Sequence, residues 1–233
     1  MPDKPRSIWL RKERSGRGPT PEHGRAQIAA AAIELADAGG IDAVTMRKVA
    51  AAIGAGATSL YRYVANRDEL LELMLDAAIG QLDLSRPVTG DWRRDLSELA
   101  RQMRSMYRAH PWLLDVAQAQ TSLTPNSVDF LEYVLSALAD VDAPGRAKME
   151  AVAMLNGMVV LHARMELAGD RTSPEWQAAQ VEYLTAVVAG GGHPHLAAVI
   201  ASPPPPEPAA ASDGAELLDR LLLHVLSGLL SET

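Results

Sequence analysis

The chain has 233 residues, of which 48% are hydrophobic and 22% are charged, a composition that allows a substantial globular core. It contains no cysteine, which excludes disulfides, thiolate metal sites and a cysteine nucleophile. The formal net charge of -7 taken alone argues against a nucleic-acid partner, but this charge is spread unevenly along the chain.

The N-terminal segment is basic and lacks helical periodicity. Residues 1–70 carry eleven Lys or Arg and eight Asp or Glu, a net charge of +3, which leaves -10 for residues 71–233. Proline and glycine interrupt residues 1–20, and an apolar run typical of a signal peptide is missing there, so we expect a flexible basic arm on a cytoplasmic protein. The arm either contacts DNA or serves as a solubilising tail.

Local signals next predict a series of short helices. The segment RAQIAAAAIELADAGG has helical spacing and ends at a glycine pair. Thr45 is a favourable N-cap for MRKVAAAI, which Gly54 ends after about two turns. A third helix is expected at about residues 57–63, and Asn66 with Glu69 forms a capping-box pattern that begins a fourth.

The remainder of the chain also predicts helices, and the fold class is therefore all-α. Strand-like alternation is nearly absent, whereas Ala and Leu recur at helical spacing. The proline run favours a mobile loop at about residues 190–213, and the most apolar stretches are broken by polar residues, so we expect no membrane span. Further helices are predicted at about residues 91–109, from 111, and at 125–140, 145–168, 174–190 and 214–231.

The second and third helices have the pattern of a helix-turn-helix DNA reader. Leu60 and Val64 are spaced to pack inward, which leaves the opposite face free to enter a major groove. Hydroxyl groups bind phosphates and a guanidinium can bind guanine, so the side chains of this face suit DNA. They are Thr58, Ser59, Tyr61, Arg62 and Tyr63. The alternative is a solvated two-helix corner with half-buried tyrosines.

The segment TMRKVAAAIGAGATSLYRYVANRDELLELM, preceded by RAQIAAAAIELADAGGIDAV, resembles the DNA-binding domain of the TetR family of transcriptional regulators. The LY-x-x-V-x-N-[KR]-x-x-L part of the family signature is present, and the resemblance is dense over about residues 25–75. It implies a helix-turn-helix DNA-binding domain at residues 21–66 and a helical effector-binding and dimerisation domain at residues 67–233. The proline-rich break before the last helix resembles the tetracycline-repressor-like subfamily.

The resemblance also implies roles for individual residues on a double-stranded DNA operator. Arg47 matches a position that reaches a base edge or the adjacent phosphate. Ala57 offers only an apolar contact where the tetracycline repressor has an amide, so the operator should differ. The phosphate-contacting positions match Thr45, Tyr61, Tyr63 and Arg67, and the base-facing positions match Ala57, Thr58, Ser59 and Arg62.

A two-turn reader makes few contacts, so we expect a homodimer on a pseudo-palindromic site. The segments GRAKMEAVAMLNGMVVLHARMEL and AELLDRLLLHVLSGLL are apolar on more than one face, and the resemblance places them in a four-helix dimer interface. Gly157 and Gly228 would permit close backbone approach there. The alternative is a monomeric bundle that buries both faces.

A small, largely apolar effector is expected to bind in the larger domain, because methionine and aromatic side chains suit an adaptable apolar cavity. Each candidate has plain core packing as its alternative, and His110 and His162 either orient a polar ligand atom or are satisfied core histidines. The candidates are Met103, Tyr107, His110, Trp112, Met154, Met158, His162, Met165 and Trp176.

No catalytic, metal or cofactor site is predicted. The chain lacks the G-x-S-x-G, H-E-x-x-H, P-loop and dinucleotide-binding motifs, and His193 and His195 lack the spacing of zinc ligands. The favoured interpretation is a ligand-responsive transcriptional repressor and not an enzyme. Two alternatives remain: a DNA-binding protein controlled by a protein partner, and an all-α ligand-binding or catalytic protein with a vestigial helix-turn-helix.

Overall fold

The computed structural model describes residues 7–11, 24–116, 123–169, 172–202 and 214–231. Every regular element within these ranges is a helix, which confirms the predicted all-α fold class. The α-helices are α1 (Arg25–Gly39), α2 (Met46–Ala52), α3 (Ala57–Leu60), α4 (Arg67–Ile79), α5 (Trp92–Ala109), α6 (Leu113–Val116), α7 (Pro125–Ala137), α8 (Gly145–Gly169), α9 (Pro174–Ala189), α10 (Pro194–Ala201) and α11 (Gly214–Ser231).

The helix ends of the N-terminal unit are set by local capping. The Thr45 hydroxyl accepts a hydrogen bond from Lys48 N at 3.3 Å, and the Asn66 side chain accepts one from Glu69 N at 2.9 Å, so both predicted N-caps are confirmed. Gly54 turns the chain between α2 and α3 with φ of 71°, a conformation that disfavours other residues. The reciprocal half of the predicted capping box differs, because the Glu69 carboxylate accepts from Ala65 N at 2.7 Å.

The packing of the first three helices fixes the orientation of the reader helix. Leu60 and Val64 are both 0% exposed and belong to one core with Val49 and Ile28. This confirms the two predicted anchors of α3 and its following turn. Helix α1 packs against both α2 and α4, so α4 connects this unit to the larger helical body.

Part of the expected flexible arm is folded against this unit. Ile8, in a 3-10 helix of residues Ile8–Leu10, is fully buried in the core. The Arg11 guanidinium pairs with the Glu69 carboxylate, and Arg25 Nη2 donates to the Arg11 carbonyl at 3.1 Å. Residues 7–11 are therefore a docked segment, since burial of Ile8 adds apolar contact that the sequence pattern did not reveal. The other arm residues lie outside the described ranges.

The body is built around α5, which packs against α7, α8 and α11. An ion pair joins its surface to α8: Glu166 accepts from Arg104 Nε at 2.8 Å and from Arg104 Nη2 at 2.5 Å. These hydrogen bonds are the main reason that the pKa of Glu166 is lowered below its ordinary value. Helix α11 packs lengthwise on α8, so the two helices form one side of the body.

The predicted mobile loop at residues 190–213 is wrong for its first half, where α10 forms. Pro194 occupies the first turn of α10, a position that does not need its missing N–H, and LAAVIA continues the helix. Neither α9 nor α10 contains a buried residue. The proline run itself, within residues 203–213, lies outside the described part of the chain.

Candidate DNA-binding and effector sites

The reader helix presents a polar face opposite its two anchors. Thr58, Tyr61 and Arg62 are exposed, and so is Arg47 at the start of α2. Ser59 is half-buried. Because α3 is fixed by Leu60 and Val64, these exposed side chains are available for a contact outside the protein.

The other predicted DNA-binding residues surround this surface with some differences. Tyr63 is half-buried and packs partly against the core, whereas we expected it to face outward. Arg67 is exposed, and its Nη2 donates to the Ile41 carbonyl at 3.3 Å. Thr45 is exposed while its hydroxyl caps α2. The side chain of Ala57 lies outside the described part of the structure.

The docked segment allows the two roles of the N-terminal arm to be tested separately. Replacing Ile8 with Ala is expected to lower the free energy of unfolding by about 2 kcal/mol, because it removes a fully buried side chain. The salt dependence of DNA binding should be the same for this variant as for the wild-type protein. Replacing Lys12, Arg14 and Arg17 together with Ala should leave stability unchanged and reduce the slope of log K against log salt by roughly one unit per lost phosphate contact. An unchanged slope would limit the arm to a structural role.

A cavity of about 420 Å³, partly open to solvent, lies between α4, α5, α7 and α8 of the body. Most of its lining is apolar. Its walls are formed by Leu75, Ile79, Leu82, Met103, Met106, Tyr107, Leu113, Leu123, Ser127, Phe130, Leu131, Met149, Val152, Ala153 and Asn156. The volume falls in the range of roughly 300 to 1,000 Å³ that is usual for small-molecule sites.

Only two of the predicted effector residues, Met103 and Tyr107, line this cavity. His110 and Trp112 follow α5 in the chain, and their side chains contact α1 instead. His110 Nδ1 is 2.8 Å from Asp37 Oδ1, and Trp112 Nε1 donates to the same oxygen at 2.7 Å. His110 Nε2 is 3.1 Å from Gln81 Oε1. Of the two alternatives for His110, the structure therefore favours a core histidine whose hydrogen bonds are satisfied within the protein. These contacts join α1 to the body.

The remaining predicted effector residues are outside the cavity lining. Met154, Met165 and Trp176 are exposed on α8 and α9. Met158 is half-buried on α8. His162 Nε2 lies 3.5 Å from Glu166 Oε1, beside the ion pair that joins α5 to α8. Residue type alone could not show which candidates line the cavity, because residues inside and outside the lining have the same kinds of side chain.

Several cavity residues were missed by the sequence prediction. Met106 and Met149 were overlooked although both have the chemistry that was sought. The spacing Met103, Met106, Tyr107 on α5 was the one available signal, since residues three and four apart share a helix face. Contributions from α4 and α7 carried no such signal, because they depend on how those helices rotate in the tertiary structure.

An exposed apolar stripe runs along the paired helices α8 and α11. On α8 it contains Met154, Leu161 and Met165, and on α11 it contains Leu217, Leu221 and Val225. A Cβ atom added to Gly157 or Gly228 would meet no atom within 4 Å, so the glycines leave open space along it. Helix α8 is also long and apolar enough by composition to cross a membrane, but its other side packs on α5 and α11. A contiguous apolar surface of this kind marks an interaction site.

The described residues contain no cluster of three or more His, Asp or Glu side chains that could hold a metal ion. His193 begins α10, and His195 lies in its first turn. The candidate sites are therefore the exposed polar face of α3 and the apolar cavity of the body. The polar contact of Asp37 with His110 and Trp112 joins α1 to that body.

A helix-turn-helix unit placed on an all-helical body is the architecture of a class of DNA-binding regulators. Comparison with known families agrees with this architecture. Residues 28–74 match the family of bacterial regulatory proteins, tetR family, and residues 85–232 match the tetracyclin repressor-like C-terminal domain. The chain belongs to the TetR family, whose members are non-enzymatic DNA-binding transcription factors.

The relatives found by sequence are regulators. The chain is 37% identical over 197 residues to the HTH-type transcriptional repressor DrrR1 of Streptomyces coeruleorubidus, covering 80% of this chain and 72% of the relative. It is 35% identical over 135 residues to an HTH-type transcriptional regulator of Saccharopolyspora erythraea, covering 58% of this chain and 57% of the relative.

The fold is similar to solved structures of the same family. It matches the Streptomyces coelicolor TetR family protein ActR in complex with (S)-DNPA, with a TM-score of 0.75 and 25% identity, covering 92% of this chain and all of ActR (100%). The ActR complex with actinorhodin gives a TM-score of 0.75 and 26% identity, covering 90% of this chain and 97% of ActR.

Proposed function

We propose that this protein is a cytoplasmic transcriptional repressor that binds a pseudo-palindromic operator as a homodimer and is released by a small, largely apolar effector. The observation that carries the proposal is the exposed polar face of α3 together with an apolar cavity of about 420 Å³ in the same chain. The similarity to a named repressor and to ActR with bound ligands supports it. The division into domains at residues 21–66 and 67–233 is part of this proposal.

The dimer supplies the binding strength that one reader lacks. Each α3 is only four residues long, so one copy contacts few bases. Two copies related by two-fold symmetry place their readers on half-sites one DNA turn, about 34 Å, apart. The open apolar stripe on α8 and α11 is the surface that such pairing would cover, and it favours the dimer over the monomeric bundle.

Release requires an effector that binds the DNA-incompetent arrangement more tightly than the competent one. The cavity walls are supplied by α4, which connects to the reader, and by α5, which ends at His110. A ligand in the cavity therefore touches the elements that hold the reader. A body without a cavity would instead have favoured the alternative, in which a protein partner controls DNA binding.

Selection of bound sequences from a random DNA pool tests the proposal. The expected product is a two-fold symmetric consensus whose half-site centres lie about one duplex turn apart. A consensus without symmetry, or no enrichment at low salt, would refute operator binding as a dimer.

Two substitutions are expected to separate base contacts from phosphate contacts in that assay. Arg47→Ala should change the selected sequence, because it removes a side chain placed to reach a base edge. Tyr61→Phe should weaken binding to all sequences alike by about fivefold, since it removes one hydroxyl contact to phosphate. Arg146→Ala, at the exposed start of α8, is the matched arginine control. An unaltered consensus with Arg47→Ala would remove Arg47 from base recognition.

A further inference from the structure

The described residues that line the cavity include no charged side chain. Among these fifteen residues, Tyr107, Ser127 and Asn156 have polar side chains. Burying an ionised ligand group without a countercharge is costly. The lining therefore selects against charged molecules.

Ser127 is already occupied by the capping of α7. Its Oγ donates to the Thr124 carbonyl at 2.8 Å, and it accepts from Thr124 N at 2.7 Å. Neither hydrogen bond points to a ligand function. Ser127 contributes its position to the wall, while its hydroxyl holds the start of the helix.

Tyr107 and Asn156 are not committed in this way. Neither the Tyr107 hydroxyl nor the Asn156 amide has a hydrogen-bond partner among the described residues, and neither is among the enclosed side-chain atoms that lack one. Both groups therefore reach accessible space. Tyr107 is buried and both residues line the cavity, so we infer that the cavity is the space that their polar groups reach. Burial also raises the pKa of Tyr107, which keeps its hydroxyl protonated at neutral pH.

The apolar lining favours an aromatic ligand. Met103, Met106 and Met149 bring three thioethers to the cavity, and Phe130 and Tyr107 each contribute a ring to its lining. Methionine sulfur makes favourable contacts with aromatic rings, and its flexible side chain adapts to a flat molecule. Aromatic side chains add offset or edge-to-face contacts with a ring.

We propose that the effector is a neutral aromatic molecule with a hydroxyl and a carbonyl group on one edge, and that Tyr107 and Asn156 recognise this edge. The Tyr107 hydroxyl donates to the carbonyl oxygen, while the Asn156 amide N–H donates to the oxygen of the ligand hydroxyl, whose own proton is held by the neighbouring carbonyl. This inference rests on the proposed function, because it names the ligand class of the same cavity. Leaving both groups unpaired under a purely apolar ligand would lose affinity.

Three matched probes test this preference with the full-length protein, by titration calorimetry. They are 1-hydroxyanthraquinone, anthraquinone, which lacks the hydroxyl, and anthraquinone-2-sulfonate, which carries a charge. We expect the hydroxyl compound to bind about fivefold more tightly than anthraquinone, because of one added hydrogen bond. The sulfonate should bind at least about tenfold more weakly than anthraquinone, because its charge must leave water.

Asn156→Leu should reduce the binding of 1-hydroxyanthraquinone by about fivefold and leave that of anthraquinone within about twofold, whereas Tyr107→Phe, which removes the donor to the shared carbonyl, should weaken both neutral probes by about fivefold. Tyr183→Phe makes the same chemical change at a side chain that is 68% exposed on α9, and it is expected to change neither. Thermal unfolding and operator binding of each variant show that it is folded. No binding of the three probes to the wild-type protein, equal binding of the sulfonate, unchanged binding in Tyr107→Phe, or equal loss of both neutral probes in Asn156→Leu would overturn the inference. These outcomes would not decide the proposed DNA-binding function, which is tested separately by the DNA selection.

Discussion

Replacing Leu161 with Arg is expected to dissociate the proposed dimer and to weaken operator binding by about 100-fold. Leu161 is 60% exposed in the single chain and lies in the middle of the apolar stripe of α8. A guanidinium enclosed there without a countercharge would cost about 3 kcal/mol or more, and each 1.4 kcal/mol corresponds to about a tenfold change in affinity. Sedimentation velocity measures the dissociation, and fluorescence anisotropy with operator DNA measures the affinity.

A matched control separates the interface from a general effect of added charge. Leu10→Arg makes the same change at a side chain that is 79% exposed within the docked N-terminal segment. It should leave the oligomeric state unchanged. A Leu161→Arg variant that remains dimeric with wild-type affinity would show that this stripe of α8 is not the dimer interface.

A second substitution tests how closely the helices approach. Gly157 lies one turn from Leu161, and a Cβ atom there would meet nothing in the same chain. Gly157→Leu should therefore stabilise α8 by up to about 1 kcal/mol, because glycine is unfavourable inside a helix. If the partner subunit packs against this position, the same change weakens the dimer. Higher stability with a weaker dimer is a combination that a purely structural role for the glycine does not produce.

The sequence predicted the elements whose signals are local. Thr45, Asn66 and Ser173 each begin a helix through their own side chain, and the hydrogen bonds that they make lie within three residues. Leu60 and Val64 were predictable as anchors because a four-residue spacing puts both on one face of a short helix. The reader and the order of helices could therefore be derived from neighbouring residues.

The features that the sequence did not reveal depend on distant partners. Ile8 is buried only because it docks on the core that distant helices form, and nothing in residues 1–20 indicates that surface. The cavity lining depends on how α4, α7 and α8 rotate against α5. Asp37 stands among alanines in α1, and its partners His110 and Trp112 lie 73 and 75 residues away along the chain. Such contacts arise from tertiary packing, on which local periodicity carries no information.

Replacing Asp37 with Ala is expected to lower the free energy of unfolding by about 2 to 4 kcal/mol. One carboxylate oxygen receives both the His110 ring and the Trp112 indole N–H, and these side chains are only 9% and 3% exposed. Without an acceptor, two buried polar groups lose their partner, at a cost of about 1 to 3 kcal/mol each. Urea unfolding of the intact protein measures the loss.

Two variants control for this result. Asp37→Asn keeps a carbonyl oxygen at the same place and removes the charge, so its loss should be smaller, about 1 kcal/mol. Asp42→Ala removes an exposed carboxylate from the neighbouring 3-10 helix and should have no measurable effect. If the Asp37→Ala and Asp42→Ala proteins were equally stable, the contact would not hold α1 on the body.

The position of this contact explains why its loss should alter the reader more than the body. Asp37 belongs to α1, whereas His110 ends α5 one turn after the cavity residues Met106 and Tyr107, and Trp112 precedes Leu113 of the same lining. A ligand that shifts these cavity residues acts directly on the two donors that hold α1. Amide hydrogen exchange of the Asp37→Ala protein should accordingly be faster in α1 and unchanged in α5 and α8. Uniformly faster exchange would mean that the contact stabilises the whole protein without linking its two parts.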